Sequence, residues 1–268
     1  MIDPAGALLL LCAGAAAGFL TGFFGVGGGI VALPVLILVL ERWDVSSLVS
    51  TQLAFGTSLT VIFVVSIKAA YQAVKNNSLP AGGAATAGAA GAAAAAAGAV
   101  LASAMQGPSL RLILGVVALL PATQLLGRTS TPKRADQKGI GRPALAGSAL
   151  TMGFISSLTG VEGGLVGVPM MYRVMGLPLK ESGAAASVAT AAAALAASIV
   201  YGIEGHGSSL LPSRTFGYVD GLTALVLLLG MVPSTLWGAA VAGKTRPGRA
   251  RKLYGVLLLA IAVKLIAF

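Results

Sequence analysis

Two glycine-rich runs interrupt long apolar stretches of the chain. One holds Gly25, Gly27, Gly28 and Gly29. The other holds Gly160, Gly163 and Gly164, with Glu162 where the first run has Gly27. Backbone with so few side chains leaves helical geometry, because glycine weakens a helix interior and admits positive φ. Such a break exposes N–H groups at a helix N-terminus, where the macrodipole favours an anion. Irregular backbone at membrane depth is tolerated only when buried in protein or lining a cavity; close helix packing is the competing use of these glycines. Hydroxyls form the second pattern. Thr57, Thr60, Val64, Lys68 and Tyr71 follow one another in steps of three and four, the spacing of one helical face. Aligning Tyr71 with Tyr201 puts Ser187 on Thr57, Thr190 on Thr60 and Ser198 on Lys68. The matched hydroxyls are suited to complete an anion's shell opposite the breaks. Taken singly, each also satisfies the i−4 carbonyl of its own helix.

Glu162 and Lys68 are the unusual charges. An ionisable group at membrane depth costs about 3 kcal/mol or more and is a functional candidate by default. Glu162 either binds a coupling proton, pairs with Lys68, or reaches a water-filled vestibule. Lys68 either makes that pair or snorkels to the interface beside Lys75. Other chemistries are excluded. Cys12 is the single cysteine and His206 the single histidine, so neither a thiolate nor an imidazole metal centre can be assembled. The run 25–29 fails the dinucleotide pattern at Ile30, and no Gly-Lys-Ser/Thr follows it. With no HExxH, Ser–Lys or paired-Asp motif, the sequence points to no enzyme, no cofactor and no metal.

The elements that hold these residues belong to a membrane protein. Of 268 residues, 56% are apolar and 10% charged, and the mean hydropathy is +0.91. A soluble domain carries about 25% charged residues, so the fold class is an all-α polytopic membrane protein. The apolar segment 5–24 has no basic region before it, only Asp3, and its hydrophobic run continues; it reads as body rather than signal peptide. The run 18–34, GFLTGFFGVGGGIVALP, aligns with 153–169, GFISSLTGVEGGLVGVP, at an offset of 135. Gly98 and 111–117 (RLILGVV) align with Gly238 and 251–257 (RKLYGVL) at an offset of 140. Two membrane repeats follow, 1–127 and 143–268, joined by a basic linker, 128–142. Each reads as about five helical segments: 5–24, 28–40, 45–74, 81–104 and 110–127, then 143–160, 164–176, 181–203, 216–243 and 251–268.

The paired segments at each break are too long for one crossing, at about 54 Å of helix against a core of about 30 Å. Each pair therefore returns to its starting side, as two short crossings or a re-entrant hairpin. On that count 13 basic residues, in 128–142, in 244–252 and at Lys75, Arg173 and Lys180, face the cytoplasm. Arg42, Arg111, Arg214 and Lys264 face outside. The net charge of +10 thus reflects topology, with the lipid bilayer rather than nucleic acid as partner. An odd number of segments per repeat inverts one repeat relative to the other, a transporter signature. The Ala/Gly-rich segment 81–104 suits the bundle interior or a homodimer contact.

The two Gly-rich motifs, each with a proline five residues after the last glycine, resemble the sulfite exporter TauE/SafE family. So do Gly56-Thr57-Ser58 and Gly217-Tyr218-Val219. The resemblance spans nearly the whole chain. It implies a multi-pass carrier of the cell inner (cytoplasmic) membrane for sulfite, organosulfonates or related sulfur compounds. Carried over by position, its site segments are 25–29, 160–164 and the Gly56-Thr57-Ser58 motif. The chain departs from it at Glu162 and at Ala186-Ser187-Val188, where the first half has Gly56-Thr57-Ser58. With no ATP-binding element, the expected activity is secondary transport of a small anionic substrate, coupled to protons through Glu162; a passive anion channel of the same fold is the alternative.

Overall fold

The computed structural model describes residues 3–24, 28–126, 141–174, 177–244 and 248–267. Among them are ten α-helices and no strand beyond a single bridge between Phe216 and Val219. The first half gives α1 (Pro4–Phe24), α2 (Gly29–Arg42), α3 (Ser50–Lys75), α4 (Ala81–Ser103) and α5 (Gly107–Leu126). The second gives α6 (Arg142–Thr159), α7 (Gly164–Pro169), α8 (Leu179–Glu204), α9 (Gly221–Ala242) and α10 (Gly248–Ala267). Six helices are long and apolar enough to cross a membrane: α1, α3, α4, α5, α8 and α9. The chain is therefore an integral, multi-pass membrane protein.

The helix expected from 45 begins at Ser50, and two further boundaries differ from the sequence expectation for physical reasons. The segment expected at 164–176 is α-helical only to Pro169 and continues as a π turn, Met170–Val174. Proline lacks an N–H and its ring meets the carbonyl of the preceding turn, so regular bonding fails there. The helix expected from 216 begins at Gly221. Residues 216–219 instead make a tight turn with Gly217 at φ 53°, and Asp220 caps α9 by accepting from the N–H groups of Leu222 and Thr223 at 3.1 and 3.2 Å.

Close approach between backbones decides the packing. In lipid no hydrophobic force gathers helices, so small residues and van der Waals contact do. A Cβ on Gly18 of α1 would lie 2.3 Å from the Met231 carbonyl oxygen of α9, and one on Gly14 would lie 2.5 Å from that of Leu227. These pairs advance together, so α1 and α9 run parallel. The same contact recurs between α6 and α4, where a Cβ on Gly153 would lie 2.1 Å from the Gly91 oxygen. By the sequence offsets, Gly153 is the counterpart of Gly18 and Gly91 that of Met231.

Helices α3 and α8 meet with opposite direction. Gly56 lies beside Tyr201, and Thr60 reaches Ser198 further along. Helices α5 and α10 do likewise, Gly115 lying against Ala262, Leu265 and Ile266 while Gly255 lies against Leu125 and Leu126. The Ala/Gly-rich α4 packs on α6 and α8 and buries Ala84, Ala87, Gly91, Ala95, Gly98, Ala99 and Ala102.

The helices beside the first break fold back on one another. Asp3, ahead of α1, accepts from Trp43 Nε1 at 2.8 Å and pairs with Arg42 at 3.2 Å, both at the far end of α2. With 21 residues, α1 covers about 31 Å; α2, with 14, covers about 21 Å. The start of α2 is accordingly set within the bundle: a Cβ on Gly28 would lie 1.9 Å from the Ala17 oxygen of α1.

Candidate functional site

The two breaks meet inside the bundle. A Cβ on Gly29 would sit 3.9 Å from Val161, and Thr21 of α1 reaches Glu162 across the same junction. Gly160 ends α6 in the left-handed conformation, φ 65°, with Phe55 filling the space a Cβ would need. Its carbonyl accepts from Ser58 Oγ at 2.9 Å. Matched hydroxyls serve the two breaks in matched ways. Thr21 Oγ1 accepts from the Gly28 N–H at 3.1 Å, and its counterpart Ser156 donates to the Val161 carbonyl at 2.6 Å. Each thereby satisfies a backbone group that the interruption of the helix would leave without a partner.

A cavity of 330 Å³ lies beside this junction. Glu162, Gly164 and Val168 line it from the second break, Thr21 from α1 and Thr235 from α9. Helix α3 contributes Ile62, Val65, Ser66 and Ala69; helix α8 contributes Gly183, Ala186, Ser187 and Thr190. Five hydroxyl side chains and one carboxylate thus face the space, and no lysine or arginine is among the described lining residues. Four of the hydroxyls are also engaged in the protein. Ser66 donates to the Phe63 carbonyl, Ser187 to Gly183 and Thr235 to Met231, while Thr21 donates to Glu162 Oε1 at 3.3 Å. Thr190 Oγ1 has no hydrogen-bond partner among the described residues. A relay therefore runs from the Gly28 N–H through the Thr21 hydroxyl to the Glu162 carboxylate, joining the first break to the charge of the second.

The sequence-derived residues divide between this cavity and its supports. Glu162, Gly164, Ser187 and Thr190 line it. Gly28, Gly29, Gly160 and Gly163 form the breaks behind it; Gly163 packs on the Met152 backbone. Gly25 and Gly27 lie outside the described residues. The first-half hydroxyls hold other elements in place. Thr57 Oγ1 accepts from the Asp220 N–H at 3.0 Å, Ser58 holds Gly160, and Thr60 donates to the Gly56 carbonyl and meets Ser198 Oγ at 2.6 Å. Lys68 is exposed on the outer face of α3 with Val64, Ile67 and Tyr71, and makes no ion pair with Glu162. Beyond Thr60 the polar stripe leaves the α3–α8 contact, and the face carrying Val65, Ser66 and Ala69 turns to the cavity.

Thr21, Ser66 and Thr235 are cavity residues that the sequence pattern did not single out. For Thr21 a signal exists, since it pairs with Ser156 in the repeat alignment. For Ser66 and Thr235 none does without knowledge of which helical face meets which neighbour.

Comparison with known proteins agrees with this architecture. The model of the sulfite exporter TauE/SafE family matches residues 10–265. A probable membrane transporter protein of Haemophilus influenzae is 24% identical over 262 residues, covering 96% of this chain and 97% of its own. A probable membrane transporter protein of Methanocaldococcus jannaschii is 24% identical over 255 residues, covering 93% and 91%. No solved structure matches the chain.

Proposed function

Because the chain belongs to the sulfite exporter TauE/SafE family, and is thus a multi-pass membrane transporter, we propose that it is a secondary transporter of a small anion, sulfite, an organosulfonate or a related sulfur compound, carried with a proton across the cytoplasmic membrane. The observation that carries this reading is the cavity at the junction of the two breaks, walled by both halves of the chain and holding Glu162 among hydroxyls. Hydroxyls and small residues suit a compact oxyanion without adding a fixed charge: the Thr190 O–H has no acceptor among the described residues, and the other four donate to the anion by turning from the protein acceptors they now serve. The carboxylate sets the ion balance. At an effective dielectric of 20, an anion about 5 Å from an ionised carboxylate is repelled by roughly 3 kcal/mol. A proton on Glu162 removes that repulsion and turns the group into a donor.

The helix directions support two halves related by a dyad lying across the helix axes. Each of α3 and α8, and each of α5 and α10, opposes its own counterpart, while α1 on α9 repeats as α6 on α4. Around such an axis, one set of contacts can be exchanged for its equivalent on the other membrane face, which is how inverted repeats alternate access. The test is transport by the purified protein in liposomes. Uptake of sulfite or methanesulfonate should saturate and be driven by an imposed pH gradient, and Glu162→Gln should abolish the drive. Flux that neither saturates nor responds to the gradient would put a passive conduit in its place.

A further inference from the structure

The cavity reaches one end of the bundle. Its α3 residues lie from the middle of α3 onward and its α8 residues in the first half of α8, toward the end that bears Lys75 and Lys180, and Ala69 there is exposed. At the other end the same two helices are covered: Phe55, Leu59 and Tyr201 are fully buried. Over Gly56 and Tyr201 the cover is the turn 216–219, between α8 and α9. The Tyr218 N–H donates to the Tyr201 carbonyl at 3.0 Å, and a Cβ on Gly56 would lie 2.1 Å from the Tyr218 oxygen. The turn is anchored beyond Tyr218 by the Asp220 N–H on Thr57.

It is braced from outside by Arg214. That guanidinium pairs with the buried Asp220 carboxylate at 3.1 Å and lies 5.3 Å from the Trp43 ring, which in turn donates to Asp3. One connected set of contacts thus ties α1, α2, α3, α8 and α9 together at this end.

The repeat alignment gives this closure a meaning. Ala186 and Ser187, which line the cavity, are the counterparts of Gly56 and Thr57, which the turn covers. At the open end, a Cβ on Gly183 would meet nothing within 4 Å; at the closed end, Gly56 is filled by a carbonyl. The turn therefore occupies the volume equivalent to the cavity at the opposite face.

We infer that the turn 216–219 is the gate on the face opposite the open cavity, with Gly56 as its seat and the Asp220–Arg214–Trp43 contacts as its latch. This rests on the transport reading, because only a carrier needs that volume to empty. Opening requires the Tyr218 carbonyl to leave Gly56 and the Asp220 N–H to leave Thr57. Gly56→Ala introduces a methyl where the seated carbonyl stands, so it excludes the closed state. Thr57→Val keeps the volume and deletes the hydrogen bond from the Asp220 N–H that anchors the turn.

The experiment reads accessibility in sealed vesicles of both orientations, in a Cys12→Ser background, with a membrane-impermeant maleimide. Ser187→Cys reports the open end and Thr60→Cys the volume behind the gate. In the parent, position 187 reacts from the face bearing Lys75 and Lys180, and position 60 is protected from the opposite face. Gly56→Ala should raise labelling of position 60 from that opposite face by about tenfold or more, since the clash removes the competing state. Thr57→Val should raise it about fivefold, the worth of one hydrogen bond. Parent-level protection at position 60 in both variants would overturn the gate. If Gly56→Ala does not fold, the Thr57→Val rate alone decides. No substrate enters the measurement, so the two readings fail separately. A protein whose position 60 opens but which carries no sulfite or sulfonate keeps the gate and loses the substrate. One that carries sulfite with labelling unchanged keeps the substrate and loses the gate.

Discussion

A carboxylate facing five hydroxyls sets a sign problem for an anionic substrate. On the proposed proton coupling, protonation of Glu162 solves it, and linkage then makes the effect mutual: a bound anion favours the proton, and the proton favours the anion. A sulfonate is the right probe, because its own charge is constant across the range. Its affinity should fall between pH 5 and pH 8 in the wild type, by up to about tenfold per unit for one coupled proton, and stay flat in Glu162→Gln. Equal slopes in the two proteins would remove Glu162 from the coupling. Thr190 gives a second prediction. Its hydroxyl has no partner among the described residues, so Thr190→Val takes nothing from the fold and one donor from the cavity. Sulfonate binding should weaken about fivefold while the melting temperature holds. A fall in melting temperature with binding intact would make Thr190 a packing residue.

Among the helices, the equivalence of the two halves can be tested at Gly18 and Gly153. Each presses its Cα against a neighbouring carbonyl, in α9 and α4 respectively. Gly18→Val and Gly153→Val should each cost roughly 1–3 kcal/mol, as overpacking does, and lower the melting temperature by similar amounts in detergent. A loss confined to one of them would break the equivalence. The apolar runs made the long helices readable from sequence, and the repeat motif made the breaks readable, because both patterns are local. The end of α7 and the start of α9 were not readable. Residues 216–219 are as apolar and aromatic as a helix, yet the Phe216–Val219 backbone pair closes them into a turn that is seated on Gly56, Tyr201 and Gly202. The same limit divided the hydroxyls. Matching Thr57 with Ser187 and Thr60 with Thr190 locates equivalent positions, but one member of each pair is covered by the gate and the other lines the cavity. Periodicity carries no information on which end of the bundle is open.

For the whole molecule, the helix directions and the charges bear on one another. The antiparallel α3 and α8 bring Lys75 and Lys180 to one end; the antiparallel α5 and α10 bring Lys252 there. Arg142 reaches Gly82 of α4 at that end, and α9 finishes there before Lys244. The other end gathers Arg42, Arg111 and Arg214, each paired with a carboxylate: Asp3, Glu41 and Asp220. An excess of lysine and arginine marks the cytoplasmic side of a multi-pass protein, which predicts that the cavity faces the cytoplasm and the gate faces outside. Asp3 makes the outer end sensitive to acid. The Trp43 N–H, then the Gly6 N–H and Arg42, hold its carboxyl below the ordinary 3.8. A lowered pKa stabilises the tie between α1 and α2 above the ordinary value and loses it as pH falls through the folded one. Acid added outside right-side-out vesicles should therefore change Trp43 fluorescence with a midpoint below pH 3.8, and Asp3→Asn should remove that transition. The same vesicles fix the orientation. With Cys12→Ser, Ala135→Cys and Gly248→Cys should both resist an impermeant maleimide from outside and react once the membrane is opened, while Ser209→Cys should react at once. Positions 135 and 248 on opposite faces would separate the two halves' topologies. The inward-facing cavity and the outer gate would then lose their common axis.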